Sequence, residues 1–194
     1  YYSRNDYDRL YNDDNVSFRS LVKEDYYYIK ANANYSMAFS HRNRLAFSLY
    51  EFMRISDSEY VGTSAYNQNL HSSETILFAD YSQRLGSFFF DINPGLSFLT
   101  YRLEGMKSIN HLTPRLQARA TYRIDKVQQL QFMFALGNTY PRINTINNVE
   151  QQIDPIIILK GNSNMDNSIL LNPRLSHTLN LNKFALQTGV SYFY

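Results

Sequence analysis

The chain has 194 residues, a formal net charge of +2, and 19% charged and 15% aromatic residues. It contains no cysteine, which excludes a disulfide framework, a thiolate metal site and a cysteine nucleophile within it. Positive and negative charges are scattered without a block of Lys or Arg, so we expect no nucleic-acid partner.

The two ends of the sequence indicate a fragment. No apolar run reaches the ~18 residues that a membrane-spanning helix requires. The chain begins at Tyr1 without a recognisable signal peptide, and residues 191–194 stop inside a predicted strand. We therefore expect both true ends of the protein to lie elsewhere.

Apolar and polar residues alternate with a period of two along most of the chain, which predicts strands with one apolar and one polar face. Within residues 112–124, for example, Leu116, Ala118 and Ala120 share the apolar face. The strands predicted in chain order are residues 1–10, 26–40, 44–54, 71–84, 88–103, 112–124, 129–138, 173–181 and 184–194.

The connections between these strands alternate between short and long. The short ones are His41 to Asn43, Gly86-Ser87, Asp125 to Gln129 and Asn182-Lys183, and the long ones are residues 10–25, 55–70, 104–111 and 138–172. Short connections at one end of the sheet and long ones at the other are typical of outer-membrane barrels. We therefore predict an all-β fold, an antiparallel up-and-down transmembrane β-barrel, with the short turns together at its periplasmic rim.

The polar faces indicate that the barrel is partial. The chain supplies about eight or nine strands, and eight strands close on an interior that side chains just fill. The polar faces carry too many long charged side chains for so narrow an interior. We predict that residues 1–194 are a fragment of one outer-membrane β-barrel domain, an open sheet whose first and last strands do not pair.

The short turns predict strand registers in which apolar residues meet on one face. The predicted pairs are Leu181 with Phe184, Leu179 with Leu186, Leu175 with Val190, Leu85 with Phe88, Tyr81 with Ile92, Phe39 with Leu45, Met37 with Phe47 and Tyr35 with Leu49. Side chains expected to face lipid include Leu116, Ala118, Ala120, Phe132, Phe134, Leu179 and Leu186.

The alternative fold is a soluble β-sandwich or small barrel with its apolar face inward. Against it stand the predicted strands of ten or more residues, because strands of soluble sheets usually have ~5–6 residues. The regular alternation of short and long connections also favours the membrane barrel.

The sequence offers no convincing catalytic or metal-binding pattern. Its seven glycines are dispersed, so they form no phosphate-binding loop. The four histidines, His41, His71, His111 and His177, share no metal-ligand spacing. We expect a protein that is not an enzyme and that carries no cofactor or metal.

The most distinctive motifs lie between residues 112 and 182. They are Thr113-Pro114-Arg115-Leu116 at the start of a strand, Tyr140-Pro141, a polar stretch, and Gly161-Asn162-Ser163 before the next strand. In this order they resemble the C-terminal barrel of TonB-dependent outer-membrane receptors, particularly the Bacteroidetes-type family. The resemblance covers most of residues 26–194, although Ser163 and Met165 stand where the family has Pro and Leu.

The resemblance implies a barrel of about 22 strands, filled by a plug domain of the same chain. It also implies uptake of a nutrient ligand across the bacterial outer membrane, with energy from the TonB complex. Neither a plug nor a TonB box is visible in these residues. The alternative function is a structural or interaction subunit of an outer-membrane secretion or surface-assembly complex. Its partner would be a surface lipoprotein or another outer-membrane subunit; in both functions the barrel contacts outer-membrane lipid.

A stripe of arginines is the first candidate site. Arg115, Arg119 and Arg123 lie on the polar face of strand 112–124, where we expect them to project into the lumen. Asp91 is predicted to lie near Arg123 and to balance one of these charges. Under the receptor resemblance the remaining partner is an acidic surface of the plug domain. Without a plug, the stripe would be an anion-attracting path through the pore. The alternative to both is that these arginines only solvate a wet wall.

The long loop, residues 138–172, holds the second candidate site. Arg142, Lys160, Asn162 and Asn164 are candidate ligand contacts on the extracellular side. They would contact a ligand if the loop serves as an extracellular lid or substrate contact. Unusually long loops tend to be functional. The alternative is a solvated connection. Ile156, Ile157 and Ile158 predict a short extra strand within the loop.

Overall fold

The computed structural model describes residues 1–13, 16–62, 65–139, 142–152, 156–181 and 183–194. Nine strands form one antiparallel sheet in the order β1-β2-β3-β4-β5-β6-β7-β10-β11. The strands are β1 (Tyr2–Asp13), β2 (Val16–Ser40), β3 (Asn43–Val61), β4 (Ala65–Leu85), β5 (Phe88–Leu103), β6 (Ile109–Arg123), β7 (Gln128–Thr139), β10 (Ser168–Leu181) and β11 (Phe184–Ser191).

Strands that are consecutive in the main sheet lie side by side, so their connections fall alternately at its two ends. The turns at 41–42, 86–87 and 124–127 share one end, and the connections after β3, β5 and β7 share the other. The strands β1 and β11 are the two edges and do not pair with each other. This confirms the predicted all-β class, the open nine-stranded sheet and the separation of the short turns from the longer connections. The predicted Asn182-Lys183 turn begins outside the described residues.

All four long connections were predicted too long; the loop predicted over 138–172 is bounded by Thr139 of β7 and Ser168 of β10. In place of a loop over 10–25, β1 continues to Asp13 and β2 begins at Val16. In place of a loop over 55–70, β3 continues to Val61 and β4 begins at Ala65. The loop predicted over 104–111 ends earlier, because β6 begins at Ile109.

The cause of these errors is that the apolar face of the sheet becomes polar toward this end. Alternation of apolar and polar residues then disappears from the sequence, although the backbone ladder continues. Charged cross-strand pairs replace apolar ones there: Arg19 lies 2.9 Å from Asp8, and Lys23 lies 3.2 Å from Glu59. Opposite charges on adjacent strands support pairing much as apolar contacts do.

Two of the three predicted hairpin registers are confirmed. The observed pairs include Leu181 with Phe184, Leu179 with Leu186, Leu175 with Val190, Leu85 with Phe88 and Tyr81 with Ile92. Gly86 has a φ of +60°, the conformation that a tight hairpin turn requires and that glycine adopts without strain.

The register of the β2–β3 hairpin was predicted wrongly. Met37 pairs with Leu45 and Tyr35 with Phe47, and the register shifts between Ala38 and Ser40. The turn has two residues, 41 and 42, rather than the predicted three. Because the strands differ from the predicted pairing by two residues, the same apolar side chains still share one face.

The turn between β6 and β7 is fixed by an acidic side chain. Asp125 Oδ1 accepts hydrogen bonds from the backbone N–H groups of Val127, at 2.8 Å, and Gln128, at 2.7 Å. The Val127 bond, with those of Gln128, holds the pKa of Asp125 below its ordinary value. The carboxylate therefore stabilises the turn above the unfolded-state pKa, and this stabilisation is lost as the pH falls through the lowered folded-state value.

The apolar face of the sheet is continuous across the strands. One cross-strand row consists of Met37, Leu45, Tyr81, Ile92, Ala118 and Phe134. The side chains predicted to face lipid lie on this face, and none of the seven is buried. Phe132 and Leu186, for instance, are each 43% exposed. Among the described residues no second layer covers this face.

The segment between β7 and β10 covers the opposite, polar face instead. It contains α1 (Ile143–Ile146), β8 (Gln151–Gln152) and β9 (Ile158–Leu159), and the last two pair with each other. The predicted short strand at residues 156–158 is thus present with shifted bounds. No helix among the described residues is long and apolar enough to cross a membrane.

Candidate functional site

A buried carboxylate, Glu74 on β4, organises the middle of the polar face. Its side chain is 4% exposed. Its Oε1 atom accepts hydrogen bonds from Arg115 Nη2 at 2.7 Å and from Ser97 Oγ at 2.8 Å. Arg54 Nη2 donates to Oε2 at 3.4 Å, and Asn138 Nδ2 donates to Oε1 at 3.3 Å. The Glu74 carboxylate therefore links side chains of five neighbouring strands, β3 to β7. We call Glu74, Arg54 and Arg115 the Glu74 centre.

The charges of the Glu74 centre explain why a carboxylate is stable there. A buried ion needs an opposite charge and hydrogen bonds to compensate for its lost hydration. Glu74 has opposite charges and hydrogen bonds around it. The two arginines share its single negative charge. Sequence reasoning placed Arg115 on the polar face but missed Glu74. Glu74 and Arg115 lie on strands separated by β5, so a register between adjacent strands does not reveal their contact.

The other two arginines of the stripe have different environments. Arg119 Nη2 lies 3.4 Å from Asp91 Oδ2, and these residues are directly opposite each other on β6 and β5. The predicted pairing of Asp91 with Arg123 is therefore wrong, because Arg123 lies two same-face positions beyond Arg119 and its backbone N–H donates to the Ser87 carbonyl at the turn. Arg123 is exposed and makes no ion pair with a described residue. The stripe is thus not one site, because Arg115 belongs to the Glu74 centre, whereas Arg119 and Arg123 lie nearer the short turns.

Aromatic rings lie beside the Glu74 centre and alternate with cations. The rings of Tyr50 and Phe52 stack with centroids 6.3 Å apart. Lys30 Nζ lies 5.6 Å from the Tyr50 centroid and 5.5 Å from that of Phe52. The Arg54 guanidinium carbon lies 5.2 Å from the Phe52 centroid. These distances are typical of cation–π contacts, so the wall here is both apolar and positively charged.

Apolar side chains attach the segment between β7 and β10 to the polar face. Ile143 and Ile146 of α1 are 6% and 1% exposed. They pack in a cluster with Leu70 of β4 and with Leu99 and Tyr101 of β5, among others. These wall residues occupy polar-face positions of their strands. The segment therefore folds back against the sheet and is neither a free solvated loop nor a rim extension.

Tyrosine hydroxyls of the wall complete this attachment. Tyr60 Oη donates to the Gln152 carbonyl at 2.8 Å, and Tyr101 Oη donates to the Met165 carbonyl at 2.9 Å. Tyr66 Oη accepts a hydrogen bond from Asn147 Nδ2 at 2.9 Å. Tyr60 and Tyr66 fall in what the sequence predicted as a loop, so no signal marked them as wall residues.

The predicted ligand contacts of the long loop lie in different surroundings. Lys160 Nζ lies 3.1 Å from Glu150 Oε1, an exposed pair within the loop. Asn162 Oδ1 accepts the backbone N–H of Asn164 at 3.0 Å, a contact that shapes a turn. Arg142 lines a cavity between α1 and the wall, together with Glu24. A ligand role for these residues stays a prediction. Tyr140-Pro141 lies outside the described residues.

Comparison with solved structures shows what this fold is similar to. The alcaligin outer-membrane receptor FauA of Bordetella pertussis superimposes with a TM-score of 0.55 and 14% identity over 99% of this chain. The ferric yersiniabactin uptake receptor FyuA of Yersinia pestis gives a TM-score of 0.48 and 15% identity, also over 99% of this chain. The chain spans 32% of the length of each of these receptors.

No family model and no curated protein matches the sequence. At 14% identity the FauA likeness establishes the fold alone. The described residues therefore form a partial barrel wall with a fold like that of the outer-membrane receptor FauA. The Bacteroidetes-type resemblance stays a prediction.

The first prediction concerns the Glu74 centre. Glu74→Gln keeps the side-chain volume but leaves Arg54 and Arg115 without their shared negative charge. Removal of one partner of a buried ion pair costs about 3–5 kcal/mol, so we expect a loss of that order in the unfolding free energy of the full-length protein in lipid vesicles. The matched control is Asp91→Asn, because its partner Arg119 is 47% exposed and exposed pairs contribute about 0–1 kcal/mol. Equal losses in both variants would contradict this assignment.

The second prediction concerns the attachment of the segment between β7 and β10. Ile146→Asp places a charge where the side chain is 1% exposed, so we expect the apolar cluster to separate and the segment to become sensitive to limited proteolysis. Ile156→Asp introduces the same charge at a position that is 91% exposed and serves as the control. Equal cleavage rates for the two variants would show that the cluster does not hold the segment.

Proposed function

We propose that this chain forms part of the wall of a bacterial outer-membrane β-barrel that takes up a nutrient ligand, as a TonB-dependent receptor does. The observation that carries this proposal is the uncovered apolar face of a nine-stranded sheet. A soluble protein buries such a face, and exposed apolar patches beyond a few hundred Å² mark contact with a membrane or a partner. Here the covered face is the polar one.

The apolar face has the properties that lipid contact requires. Leu77, Leu96 and Phe132 are 54%, 49% and 43% exposed, although each is fully apolar. Transmembrane strands need ~9–11 residues, and every strand from β2 to β7 meets that length. β2 has 25 residues, about 80 Å at ~3.3 Å per residue. The longest strands therefore project well beyond the lipid, where the otherwise apolar face carries charged pairs such as Lys23 with Glu59.

The polar face, in this proposal, lines the lumen. The Glu74 centre, the aromatic rings and the segment between β7 and β10 all lie on that side. The segment narrows the passage beside the wall and is held by apolar contacts and by single hydrogen bonds from tyrosines. A ligand that passes along this wall displaces the segment or moves around it. The segment is thus the part of the lumen that regulates passage.

The plug domain and the TonB complex enter the proposal by likeness to receptors such as FauA. Because the chain spans 32% of that receptor, a plug and further strands would come from the rest of the protein. Unpaired strand edges do not occur in the hydrocarbon region, so β1 and β11 need partners. The order of motifs between residues 112 and 182 supports a relationship with the Bacteroidetes-type receptors.

The third prediction tests which face meets lipid. Ala118→Arg places a cation in the middle of the apolar face, and Gln117→Arg places the same cation on the polar face one residue away. Arginine on the lipid face near mid-membrane costs about 2–4 kcal/mol. We expect Ala118→Arg to reduce the amount of folded protein in outer-membrane fractions and to lower its stability in vesicles. Gln117→Arg should leave both quantities close to those of the unchanged protein.

The outcome separates the proposed functions. Equal tolerance of both substitutions would contradict a lipid-facing Ala118 and favour the soluble fold. Normal insertion of the unchanged protein, with no TonB-dependent ligand uptake by cells that carry it, would favour the structural or interaction subunit.

A further inference from the structure

Five arginines line one groove on the polar face, at the end of the sheet where the short turns lie. They are Arg42, Arg44, Arg84, Arg119 and Arg123, which we call the arginine groove. The groove has a volume of about 660 Å³, and its lining also includes His41 but no Asp or Glu. The chain has a net charge of only +2, so this groove concentrates positive charge far beyond the average of the molecule.

The backbone brings these arginines together from three separate places in the sequence. Arg42 and Arg44 come from the β2–β3 hairpin, and the Arg84 backbone N–H donates to the Arg42 carbonyl at 2.9 Å. The Arg123 backbone N–H donates to the Ser87 carbonyl at 2.8 Å. The two hairpins and the end of β6 are thus joined by main-chain hydrogen bonds. The groove is a consequence of strand pairing and does not depend on flexible loops.

The charge of the groove is almost uncompensated. Arg119 pairs with Asp91 at 3.4 Å. Within the described part of the chain, the other four arginines make no ion pair. Farther along the same face, Arg54 and Arg115 share Glu74. The wall therefore neutralises its arginines at mid-height and leaves them free at the short-turn end.

The neutral groups of the groove favour the same kind of ligand. Ser82, Ser87, Thr121, Gln129 and Gln131 line it with hydroxyl and amide groups, which donate hydrogen bonds to oxygen acceptors. The guanidinium fork binds phosphate and carboxylate groups through two parallel hydrogen bonds. The volume lies within the ~300–1,000 Å³ of small-molecule sites.

We propose that the arginine groove binds a small polyanion that carries two or more phosphate or carboxylate groups. The binding site deepens the proposed function and rests on it, because it requires the polar face to line a lumen open to solutes. A ligand in transit would bind there at the short-turn end, after it has passed the segment between β7 and β10. An acidic segment of the protein itself is the competing occupant.

The test is calorimetric titration of the purified full-length protein in detergent with tripolyphosphate and, separately, with citrate. Arg84→Gln/Arg123→Gln removes two charges from the groove, and we expect affinity to fall at least about tenfold for the polyanion that binds. Arg9→Gln/Arg102→Gln removes two charges from positions outside the groove and is the matched control, with affinity expected within about twofold. Arg84→Lys/Arg123→Lys keeps the charge but loses the fork, so its affinity should fall between the two.

Each outcome decides the proposal. Binding of only tripolyphosphate or only citrate identifies the anion class. Binding of both shows that the groove recognises polyanions of either class. Equal losses in the two glutamine double variants would overturn the groove as a site, because bulk charge would then explain binding. Absence of binding by the unchanged protein would also overturn it, in favour of an acidic segment of the chain.

The same variants separate this proposal from the proposed function. Unchanged heat-dependent mobility in detergent gels verifies that each variant is folded. Groove binding with no ligand uptake in cells would contradict the uptake function alone. Uptake with no polyanion binding would contradict the groove alone.

Discussion

Complete backbone pairing between neighbouring strands is the constraint on which this structure depends. Each strand of the main sheet hydrogen-bonds to the next one in the chain, apart from the segment inserted between β7 and β10. Such pairing forces successive side chains to opposite faces, so the sheet separates its residues into an apolar and a polar surface. An apolar surface that no second protein layer covers is stable only in contact with a partner or an apolar solvent. In the proposed function the membrane is the apolar solvent, and strand pairing satisfies the backbone groups that lipid cannot, apart from those at the outer edges of β1 and β11.

The polar surface is organised in three levels along the strands. Toward the long connections, the segment between β7 and β10 covers it through the cluster of Ile143, Ile146 and Leu99. At mid-height, Glu74 compensates Arg54 and Arg115. Toward the short turns, the arginine groove is left open. Positive charge is therefore neutralised where the wall is buried and retained where it is accessible, an arrangement that favours movement of anions toward the short-turn end.

Much of this architecture could be predicted from the sequence because period-two alternation is a local property. The apolar face around Ala118 and the hairpin at Gly86 follow from a few neighbouring residues and from turn geometry. Where the apolar face becomes polar, as at Asp57 and Lys23, the alternation disappears, and continuous strands were predicted as loops. The β2–β3 register was wrong because a bulge beside Ser40 changes the pairing without changing the face.

The candidate site could be predicted only in part, because it depends on contacts between strands that are not adjacent. The polar-face position of Arg115 follows from its own strand, but its bond to Glu74 crosses β5. Likewise, Arg84 and Arg123 are unremarkable in sequence and meet only after two hairpins have formed. The inward packing of Ile146 depends on wall residues more than 40 positions away, such as Leu99, for which a single sequence gives no signal.

The central claim is that the apolar face contacts lipid and the polar face does not, and nitroxide scanning along β7 tests it most directly. The described residues contain no native cysteine, so a nitroxide on a single cysteine introduced at 131, 132, 133 or 134 reports that position alone. The labelled protein is the full-length one in vesicles, with any cysteines outside these residues replaced. If the apolar face contacts lipid, collision rates with oxygen, which concentrates in lipid, will be high for labels at positions 132 and 134 and low at positions 131 and 133. Uniform accessibility, or maxima at positions 131 and 133, would contradict this claim.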